Sequence, residues 1–359
     1  MNGKVNKVRL DRVLGKMSEL GLDQIFVTDP SSVNYLTGLR SRSNERCNGI
    51  YIDRTGRVVA YMNELQNLFT LEGGDMAFYH DNDDPIEGLK KLLIPGSVGV
   101  DRGWPAMFTL RLMEACPGRA VVADTSVDRV RMVKDSEEQE LLRKSSLIND
   151  EVVEASIVCA REGMSEMDMS RIVNANFARH PGVALGGFCL VQFGANCADP
   201  HHGPADDTLH EGDAVLLDIG KPICSYYCDT TRTAFLGKAS AFQEDIYNIV
   251  LEANLAGEKA AGPGVPACEI DAASRQVIEK AGYGKYYTHR TGHNIGIDGH
   301  EWPDISLANP EPVVPGMCFS VEPGIYIPGV IGVRVEDLVL ITEDGAEVLN
   351  KSRKDFRIL

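Results

Sequence analysis

Acidic side chains interrupt apolar segments in the second half of the 359-residue chain, and this feature constrains the fold more than any other. Asp218 stands in the run Ala-Val-Leu-Leu-Asp-Ile-Gly, and Asp229 follows it in Tyr-Cys-Asp-Thr-Thr. Glu322 and Glu336 stand in two further apolar segments. A carboxylate buried alone in such a setting is costly unless it is paired, protonated or bound to a cation. Because these acids would repel one another, their convergence predicts metal cations between them.

His293 adds an imidazole to this set, in the sequence Arg-Thr-Gly-His-Asn-Ile-Gly. The flanking glycines let the backbone approach a crowded site closely. Carboxylates with one imidazole form a hard, oxygen-rich donor set that suits manganese or a similar divalent ion, and that fits two ions bridged by carboxylates. Each acid taken alone is more often a structural carboxylate, so it is the whole set that favours a metal centre.

Further histidines lie in the same stretches of sequence. His201, His289 and His300 stand near the candidate ligands along the chain. Imidazoles beside metal ions can serve acid–base chemistry or stabilise an oxyanion. His202 and His210 are predicted instead to be side chains of a surface loop.

The charge balance excludes two classes of partner. The chain has 36 Lys and Arg against 52 Asp and Glu, a net charge of −16. Nucleic-acid binding needs clustered cations, and so does docking on anionic membranes. No apolar window reaches the roughly 18 residues of a membrane span, and the first residues lack the apolar core of a signal peptide. The nine cysteines form no CxxC pair, which predicts reduced thiols and a cytoplasmic location.

The first third of the chain alternates helical and extended patterns. This alternation predicts an α/β domain with mixed strand order. The predicted helices are 7–20, 86–93 and 106–115, and the predicted strands are 24–28, 49–53, 58–62, 97–100 and 120–123.

A polar stretch over 124–135 predicts a boundary that divides the chain into domains 1–130 and 131–359. Ser136 with Gln139 has the pattern of a capping box and predicts a helix that runs to Glu162; Ser165 with Asp168 predicts a second helix start. Paired helices and clustered strands then predict an α+β domain with antiparallel sheet. Its predicted helices are 137–161, 166–179, 241–261 and 267–281, and its predicted strands are 187–191, 214–219, 226–235, 318–322 and 333–341.

The order and spacing of the acids and of His293 resemble the ligand set of the pita-bread metallopeptidases. That family includes Xaa-Pro aminopeptidases, Xaa-Pro dipeptidases (prolidases), methionine aminopeptidases and creatinase. The local sequences LLDIG, CDTTRT, HRTGH, GHEWP, SVEPGIY and GVRVEDLVLIT resemble it as well. The likeness covers nearly the whole chain. It implies an α/β creatinase-like amino-terminal domain, which methionine aminopeptidases lack, followed by an α+β pita-bread catalytic domain.

Carried over by position, the resemblance implies two divalent metal ions, with manganese expected and cobalt or zinc as alternatives. Asp218 would hold one ion, His293 and Glu322 the other, and Asp229 and Glu336 would bridge both. A water or hydroxide between the ions would attack the scissile carbonyl. Glu322 would also act as general base and proton shuttle.

Three histidines and an arginine receive catalytic roles from the same resemblance. His201, His289 and His300 would steady the tetrahedral intermediate and orient the substrate. Arg334, two residues before Glu336, would support the ligands and the substrate. The resemblance also implies a homodimer in which the amino-terminal domain contributes to the neighbouring site.

The function implied is hydrolysis of the peptide bond before proline, with Xaa-Pro peptides as substrates. Dipeptidase and aminopeptidase activity both stay open. A non-catalytic binding protein on the same fold is a second hypothesis, but such proteins typically lose metal ligands. A third is a hydrolase or lyase that acts on a small non-peptide substrate. A panel of Xaa-Pro dipeptides and Xaa-Pro-Xaa tripeptides with added manganese distinguishes the three.

Overall fold

The chain forms two compact units, Met1–Arg131 and Met132–Leu359. A computed structural model describes residues 2–40, 45–66, 69–117, 120–184 and 186–359. Within these ranges, none of the helices combines the length and the apolar character that crossing a membrane requires. All nine cysteines lie in the described ranges, and each is a free thiol.

The first unit is built on a mixed sheet with strand order β6 (Asp75–Tyr79)-β4 (Val58–Asn63)-β3 (Gly49–Asp53)-β2 (Gln24–Val27)-β7 (Val98–Asp101)-β8 (Val121–Asp124). Strands β2, β3 and β4 pair antiparallel, whereas β4–β6, β2–β7 and β7–β8 pair parallel. The α/β domain with mixed strand order is thus confirmed. Its elements are β1 (Asn2–Lys4), α1 (Lys7–Glu19), β2 (Gln24–Val27), α2 (Pro30–Thr37), β3 (Gly49–Asp53), β4 (Val58–Asn63), β5 (Thr70–Glu72), β6 (Asp75–Tyr79), α3 (Pro85–Lys90), β7 (Val98–Asp101), α4 (Ala106–Ala115), β8 (Val121–Asp124) and α5 (Ser126–Arg131).

The core of the first unit follows from the sequence pattern. Helix α1 buries Leu10, Val13 and Met17, whose spacing puts them on one face of a helix. Strand β7 ends at Asp101, whose Oδ2 accepts hydrogen bonds from the backbone N–H and hydroxyl of Thr28 and from the backbone N–H of Asp29. This carboxyl therefore joins β7 to the residues that follow β2.

In the described part of the second unit the strands form two larger sheets and two short pairs. One sheet has the order β13 (Thr230–Phe235)-β10 (Ala214–Gly220)-β9 (Phe188–Phe193), and the other has the order β15 (Glu301–Ile305)-β14 (Gly292–Asn294)-β16 (Cys318–Val321)-β19 (Asp337–Thr342)-β20 (Gly345–Val348). The pairs are β17 (Gly324–Ile327) with β18 (Ile331–Arg334) and β11 (Pro222–Ile223) with β12 (Tyr226–Tyr227). Each of these described pairings is antiparallel, which confirms the predicted α+β arrangement. The elements are α6 (Ser136–Ile157), α7 (Glu166–Phe177), β9 (Phe188–Phe193), β10 (Ala214–Gly220), β11 (Pro222–Ile223), β12 (Tyr226–Tyr227), β13 (Thr230–Phe235), α8 (Ala241–Ala260), α9 (Ala267–Lys280), β14 (Gly292–Asn294), β15 (Glu301–Ile305), β16 (Cys318–Val321), β17 (Gly324–Ile327), β18 (Ile331–Arg334), β19 (Asp337–Thr342) and β20 (Gly345–Val348).

Strand β10 lies between two apolar layers of the second unit. Val215, Leu217 and Ile219 pack with residues of α6 and α7. Leu216 packs on the opposite side with residues of α8, β17 and β18. Because side chains alternate along a strand, Asp218 shares the face of Leu216 rather than that of Leu217. The strand therefore presents one carboxylate on an otherwise apolar face.

Two strands predicted to be continuous are interrupted beside their acidic residues. The predicted strand 226–235 divides into β12 and β13, with Asp229 between them, and the predicted strand 333–341 divides into β18 and β19, with Glu336 between them. The prediction of continuous strands was therefore wrong at these two points. The apolar pattern could not show that the ladder stops where each carboxylate turns into the interior.

The start and end of α6 also differ from the prediction. The capping box consists of Asp135 and Glu138, one residue before the predicted pair, because the Asp135 side chain accepts from the Glu138 N–H and the Glu138 side chain accepts from the Asp135 N–H. The helix ends at Ile157. The predicted polar break holds the short helix α5, whereas the capping box of Ser165 and Asp168 is confirmed.

Candidate metal centre and active site

Asp218 and Asp229 come from neighbouring strands of one sheet. In the pairing of β10 with β13, Asp218 stands opposite Thr231, and Asp229 precedes the first residue of β13. The two acids are therefore diagonal neighbours on the same face, where side chains of adjacent strands come within reach of each other. The short β11–β12 pair between the two strands reverses the chain, so that Asp229 comes within two residues of the register of Asp218.

Glu322 and Glu336 are brought together by the second large sheet. Val321 at the end of β16 pairs with Asp337 at the start of β19. Continuing this antiparallel register by one residue sets Glu322 opposite Glu336. Glu336 is 1% exposed, so its carboxylate lies inside the unit.

His293 on β14 faces these carboxylates with one defined nitrogen. Its Nδ1 lies 3.1 Å from the carbonyl oxygen of Asn294, and since a carbonyl only accepts, Nδ1 carries the proton. The lone pair of Nε2 then points into the site, 3.3 Å from Glu322 Oε1 and 3.8 Å from Asp229 Oδ2. This is the tautomer that a metal ligand requires.

The donor set fits divalent ions on two observations. One ligand atom from each of Asp229, His293 and Glu336 lies within 4.8 Å of the other two. Asp218 Oδ2 accepts from Arg334 Nη2 at 2.5 Å, whereas Asp218 Oδ1 is buried and has no hydrogen-bond partner among the described residues. A buried carboxylate oxygen without a donor is costly, and a cation would satisfy it.

The electrostatics of the cluster also favour bound cations. Burial, together with the carboxylates of Glu336, Asp218 and Glu322, raises the pKa of Asp229 well above its ordinary range. Burial also raises the pKa of Glu336, and that of Glu322 to about 7. Burial lowers the pKa of His293 to about 3, so its imidazole is neutral. Burial and mutual repulsion destabilise the charged form of these carboxylates, and divalent ions between them would supply the positive charge that stabilises it.

A cavity of about 730 Å³ opens over the cluster. It is lined by all of the predicted ligands and by the predicted catalytic residues His201, His289, His300 and Arg334. Phe188, Leu190 and Pro200 add an apolar wall. The structure therefore brings every predicted site residue to one cavity within the second unit.

Arg334 ties several of these side chains together. Its Nη2 donates to Asp218, its Nε donates to the hydroxyl of Thr231 at 2.9 Å, and its Nη1 donates to the hydroxyl of Tyr326 at 2.9 Å. Thr231 in turn donates to Glu336 Oε2 at 2.6 Å. One guanidinium therefore orients two candidate ligands, as the resemblance implied for Arg334.

His289 has both ring nitrogens engaged within the protein. Its Nδ1 lies 2.7 Å from the carbonyl oxygen of Arg290 and must donate to it, so Nε2 accepts from the hydroxyl of Tyr326 at 2.8 Å. Burial, with the nearby Arg334 cation, lowers the pKa of His289 to about 4. Neither nitrogen is free to donate to a substrate while these two hydrogen bonds are kept. The contact with substrate that the resemblance implies for His289 stays a prediction.

Some polar residues of this region were not foreseen in the sequence. Tyr326 lies in an apolar strand, and its aromatic ring gave no signal of the hydroxyl's role. Arg290 and Asp304 form an ion pair at 3.2 Å in the cavity lining. His202, predicted to lie on a surface loop, does lie on an irregular connection, but its side chain is half-buried and hydrogen-bonded to buried Glu166, which was not foreseen. His210 is exposed, as predicted.

Comparisons with known proteins agree with this geometry. Residues 140–343 match the model of metallopeptidase family M24, and residues 9–133 match that of the creatinase/prolidase N-terminal domain. The chain is 32% identical to the putative dipeptidase YkvY of Bacillus subtilis (strain 168), over 98% of this chain and 99% of that protein. The crystal structure of dipeptidase PepE from Mycobacterium ulcerans superposes with a TM-score of 0.90 at 34% identity, covering 99% of this chain and 98% of that one. The Xaa-Pro dipeptidase from Bacillus anthracis gives a TM-score of 0.87 at 29% identity, covering 98% and 99%.

Proposed function

The chain belongs to metallopeptidase family M24 and carries its creatinase-like amino-terminal domain, and we propose that it is a dinuclear exopeptidase that hydrolyses the peptide bond before proline. Both an Xaa-Pro dipeptidase and an Xaa-Pro aminopeptidase fall within this proposal. The convergence of four carboxylates and one imidazole on one cavity carries it. The proline preference is supported by the similarity to a protein named Xaa-Pro dipeptidase.

The ligand assignment carries the family pattern over to these residues, and their convergence on one cavity supports it. Asp218, Asp229, His293, Glu322 and Glu336 would hold the two ions, and Asp229 and Glu336 would serve both. When bound, divalent ions polarise a carbonyl oxygen and lower the pKa of water, and manganese is the expected metal.

The chain's own residues then bind the substrate and move the proton. Glu322 takes the proton of the attacking water and returns it to the nitrogen of the leaving group. His201 and His300 donate to the carbonyl oxygen as negative charge develops on it. Arg334 and Tyr326 hold Asp218 and His289 in place, while Phe188 and Leu190 provide apolar contact for the substrate's proline ring.

The proposal is tested with purified protein reconstituted with manganese or cobalt. Elemental analysis should give close to two ions per chain, and a chelator should remove activity that added metal restores. An Xaa-Pro dipeptide, an Xaa-Pro-Xaa tripeptide and the matched Xaa-Ala peptides then report specificity. Cleavage of dipeptides alone identifies a dipeptidase, and cleavage of tripeptides an aminopeptidase. Failure to hydrolyse any of these peptides with two ions bound contradicts the proposed activity.

Two further parts of the proposal concern the whole protein. Residues 1–130 and 131–359 serve as the amino-terminal and catalytic domains, and the functional unit is a homodimer. Light scattering of the metal-loaded protein measures its oligomeric state, and a monomer mass with full activity contradicts the proposed homodimer.

A further inference from the structure

Glu166, the first residue of α7, is the hub of a hydrogen-bonded junction outside the metal cluster. Its side chain is fully buried. Oε1 accepts from the backbone N–H of Phe193 at 2.8 Å and from Asn196 Nδ2 at 3.0 Å. Oε2 accepts from the backbone N–H of Ala205 at 2.9 Å and lies 2.9 Å from His202 Nε2. One carboxylate thus joins α7, the end of β9 and the connection 199–207.

This junction is a structural anchor rather than an ion site. The ligand-type atoms of Glu166, His202 and Asp207 lie close enough to suggest a metal. However, a carboxylate has about four lone-pair directions, and four donors occupy those of Glu166. Asp207 is exposed, so its carboxylate is solvated. The donors satisfy the buried charge without an ion.

A second buried side chain fastens the same connection. Gln192 Nε2 donates to the carbonyl oxygen of Asp199 at 2.9 Å and to that of His202 at 3.1 Å. The Asp199 side chain accepts from the backbone N–H of His201 at 3.1 Å. The backbone is therefore held on both sides of His201, although residues 199–207 form neither helix nor strand.

His201, whose backbone is held in this way, connects the junction with the reaction. His201 is exposed and lines the cavity over the metal cluster, next to Pro200 in the apolar wall. An exposed side chain on an irregular connection has many conformations available to it, and only some would meet the substrate. Fixing its backbone beforehand reduces the entropy lost when the substrate binds.

We propose that Glu166 and His202 are positioning residues that act through His201. The contact between them, here called the Glu166–His202 clasp, fixes the connection 199–207 so that the imidazole of His201 is ready to meet the substrate. This inference rests on the proposed function, in which His201 contacts the substrate.

Three variants separate the clasp from other effects of changing a histidine. His202→Ala removes the donor to Glu166 and should lower kcat/KM on an Xaa-Pro substrate about tenfold, mostly in kcat. His202→Gln keeps an N–H donor near the position of Nε2 and should restore most of the activity. His210→Ala is the matched control, because His210 is exposed farther along the same chain segment. Equal loss in His202→Gln and His202→Ala contradicts the clasp.

A double-mutant cycle then tests whether the effect passes through His201. In a His201→Ala background, His202→Ala should cause no further loss of kcat/KM, because the residue that the clasp positions is already gone. Multiplicative losses overturn the proposal, since they mean that His202 acts independently of His201.

Hydrogen exchange gives a readout that does not depend on activity. In His202→Ala, peptides covering 199–207 should exchange faster, and peptides from α9 should be unchanged. Unchanged exchange over 199–207 overturns the clasp, and so does loss of an ion from the variant, which would make the junction a metal site. Should the wild type hydrolyse no Xaa-Pro peptide, the proposed function fails, while the exchange experiment still decides whether the clasp holds this connection.

Discussion

The imidazole rings of His293 and His300 stack with their centroids 3.6 Å apart and their planes 23° from parallel. His300 Nδ1 lies 3.3 Å from Arg290 Nη2, and since a guanidinium only donates, Nδ1 accepts and the proton sits on Nε2. Burial, with the Arg290 cation next, lowers the pKa of His300, so the ring is neutral. The candidate metal ligand thus orients a second histidine that keeps one N–H to donate.

Replacement of this second histidine should affect catalysis and not the fold. His300→Ala, and likewise His201→Ala, should lose about two orders of magnitude in kcat/KM on an Xaa-Pro substrate, by analogy with the loss of one oxyanion donor. Both variants should keep two metal ions and the melting temperature of the wild type. His210→Ala is the control. Unchanged kinetics would return His300 to the class of surface-loop side chains, and loss of metal would make it a ligand or the support of one.

Asp229→Asn should weaken metal binding while leaving the fold intact. The substitution keeps the size of the side chain but removes the charge of a proposed bridging ligand. Metal content after dialysis and activity at limiting metal should both fall sharply. Asp245→Asn, at an exposed position on α8, is the matched control. Normal turnover of Asp229→Asn at limiting metal excludes this residue as a ligand.

Tyr326→Phe removes the hydroxyl that connects His289 to Arg334. His289 Nε2 and Arg334 Nη1 each lose a partner in a buried setting, so the free energy of unfolding should fall by about 1–3 kcal/mol. Activity should fall as well, because Arg334 also orients Asp218. Urea unfolding and steady-state kinetics measure the two effects, with Tyr286→Phe, a half-buried tyrosine in the turn before Tyr287, as control. Wild-type stability in Tyr326→Phe is inconsistent with the described hydrogen bonds.

The stability of the amino-terminal unit should depend on the protonation of Asp101. Burial raises the pKa of this carboxyl from its usual 3.8 to about 7. Between these values the folded chain keeps a proton that the unfolded chain has lost, so this contribution to stability is complete at acidic pH and decreases as the pH rises towards 7. Asp101→Asn resembles the neutral form and should remove this contribution to the slope of the free energy of unfolding against pH.

The measurement for Asp101 uses tryptophan fluorescence. Trp104 is buried in the first unit, and Trp302→Phe removes the other tryptophan of the chain. In that background, urea unfolding from about pH 4 to 7 gives the slope with and without Asp101→Asn. Identical slopes mean that Asp101 has the same pKa in the folded and unfolded chains.

The ligand residues were accessible from the sequence because four acids interrupt apolar runs in one domain, and a structural role that explains one such acid does not easily explain all four. Asp218 and Glu336 both stand out in this way. The interruptions of the strands at Asp229 and Glu336 were not accessible, since the apolar pattern on either side is continuous and only tertiary packing ends the ladder. The helix cap moved by one residue for a related reason, because Asp135 and Ser136 are both good N-cap residues and the side-chain geometry decides between them.

The residues that support the site could not be predicted, because each stands in an ordinary sequence pattern. A glutamate in the first turn of a helix is expected from the helix dipole alone, so Glu166 carried no sign of its four donors. Tyr326 has the sequence pattern of an ordinary strand aromatic, and the hydrogen bond of His202 was not foreseen because its partner lies 36 residues earlier in the chain. Such contacts depend on long-range packing, which local patterns do not encode.

The alternation along β10 restricts the kind of change this strand can tolerate during evolution. Val215 and Leu217 point to one apolar layer, and Leu216 and Asp218 to the other. Inserting or deleting a single residue before Asp218 would exchange the two faces for the rest of the strand and move the carboxylate into the layer packed by α6 and α7. Substitutions that keep an apolar side chain are mild by comparison. Length variation should therefore be excluded from β10 and accumulate in its flanking connections, which a library of single-residue insertions and deletions can map.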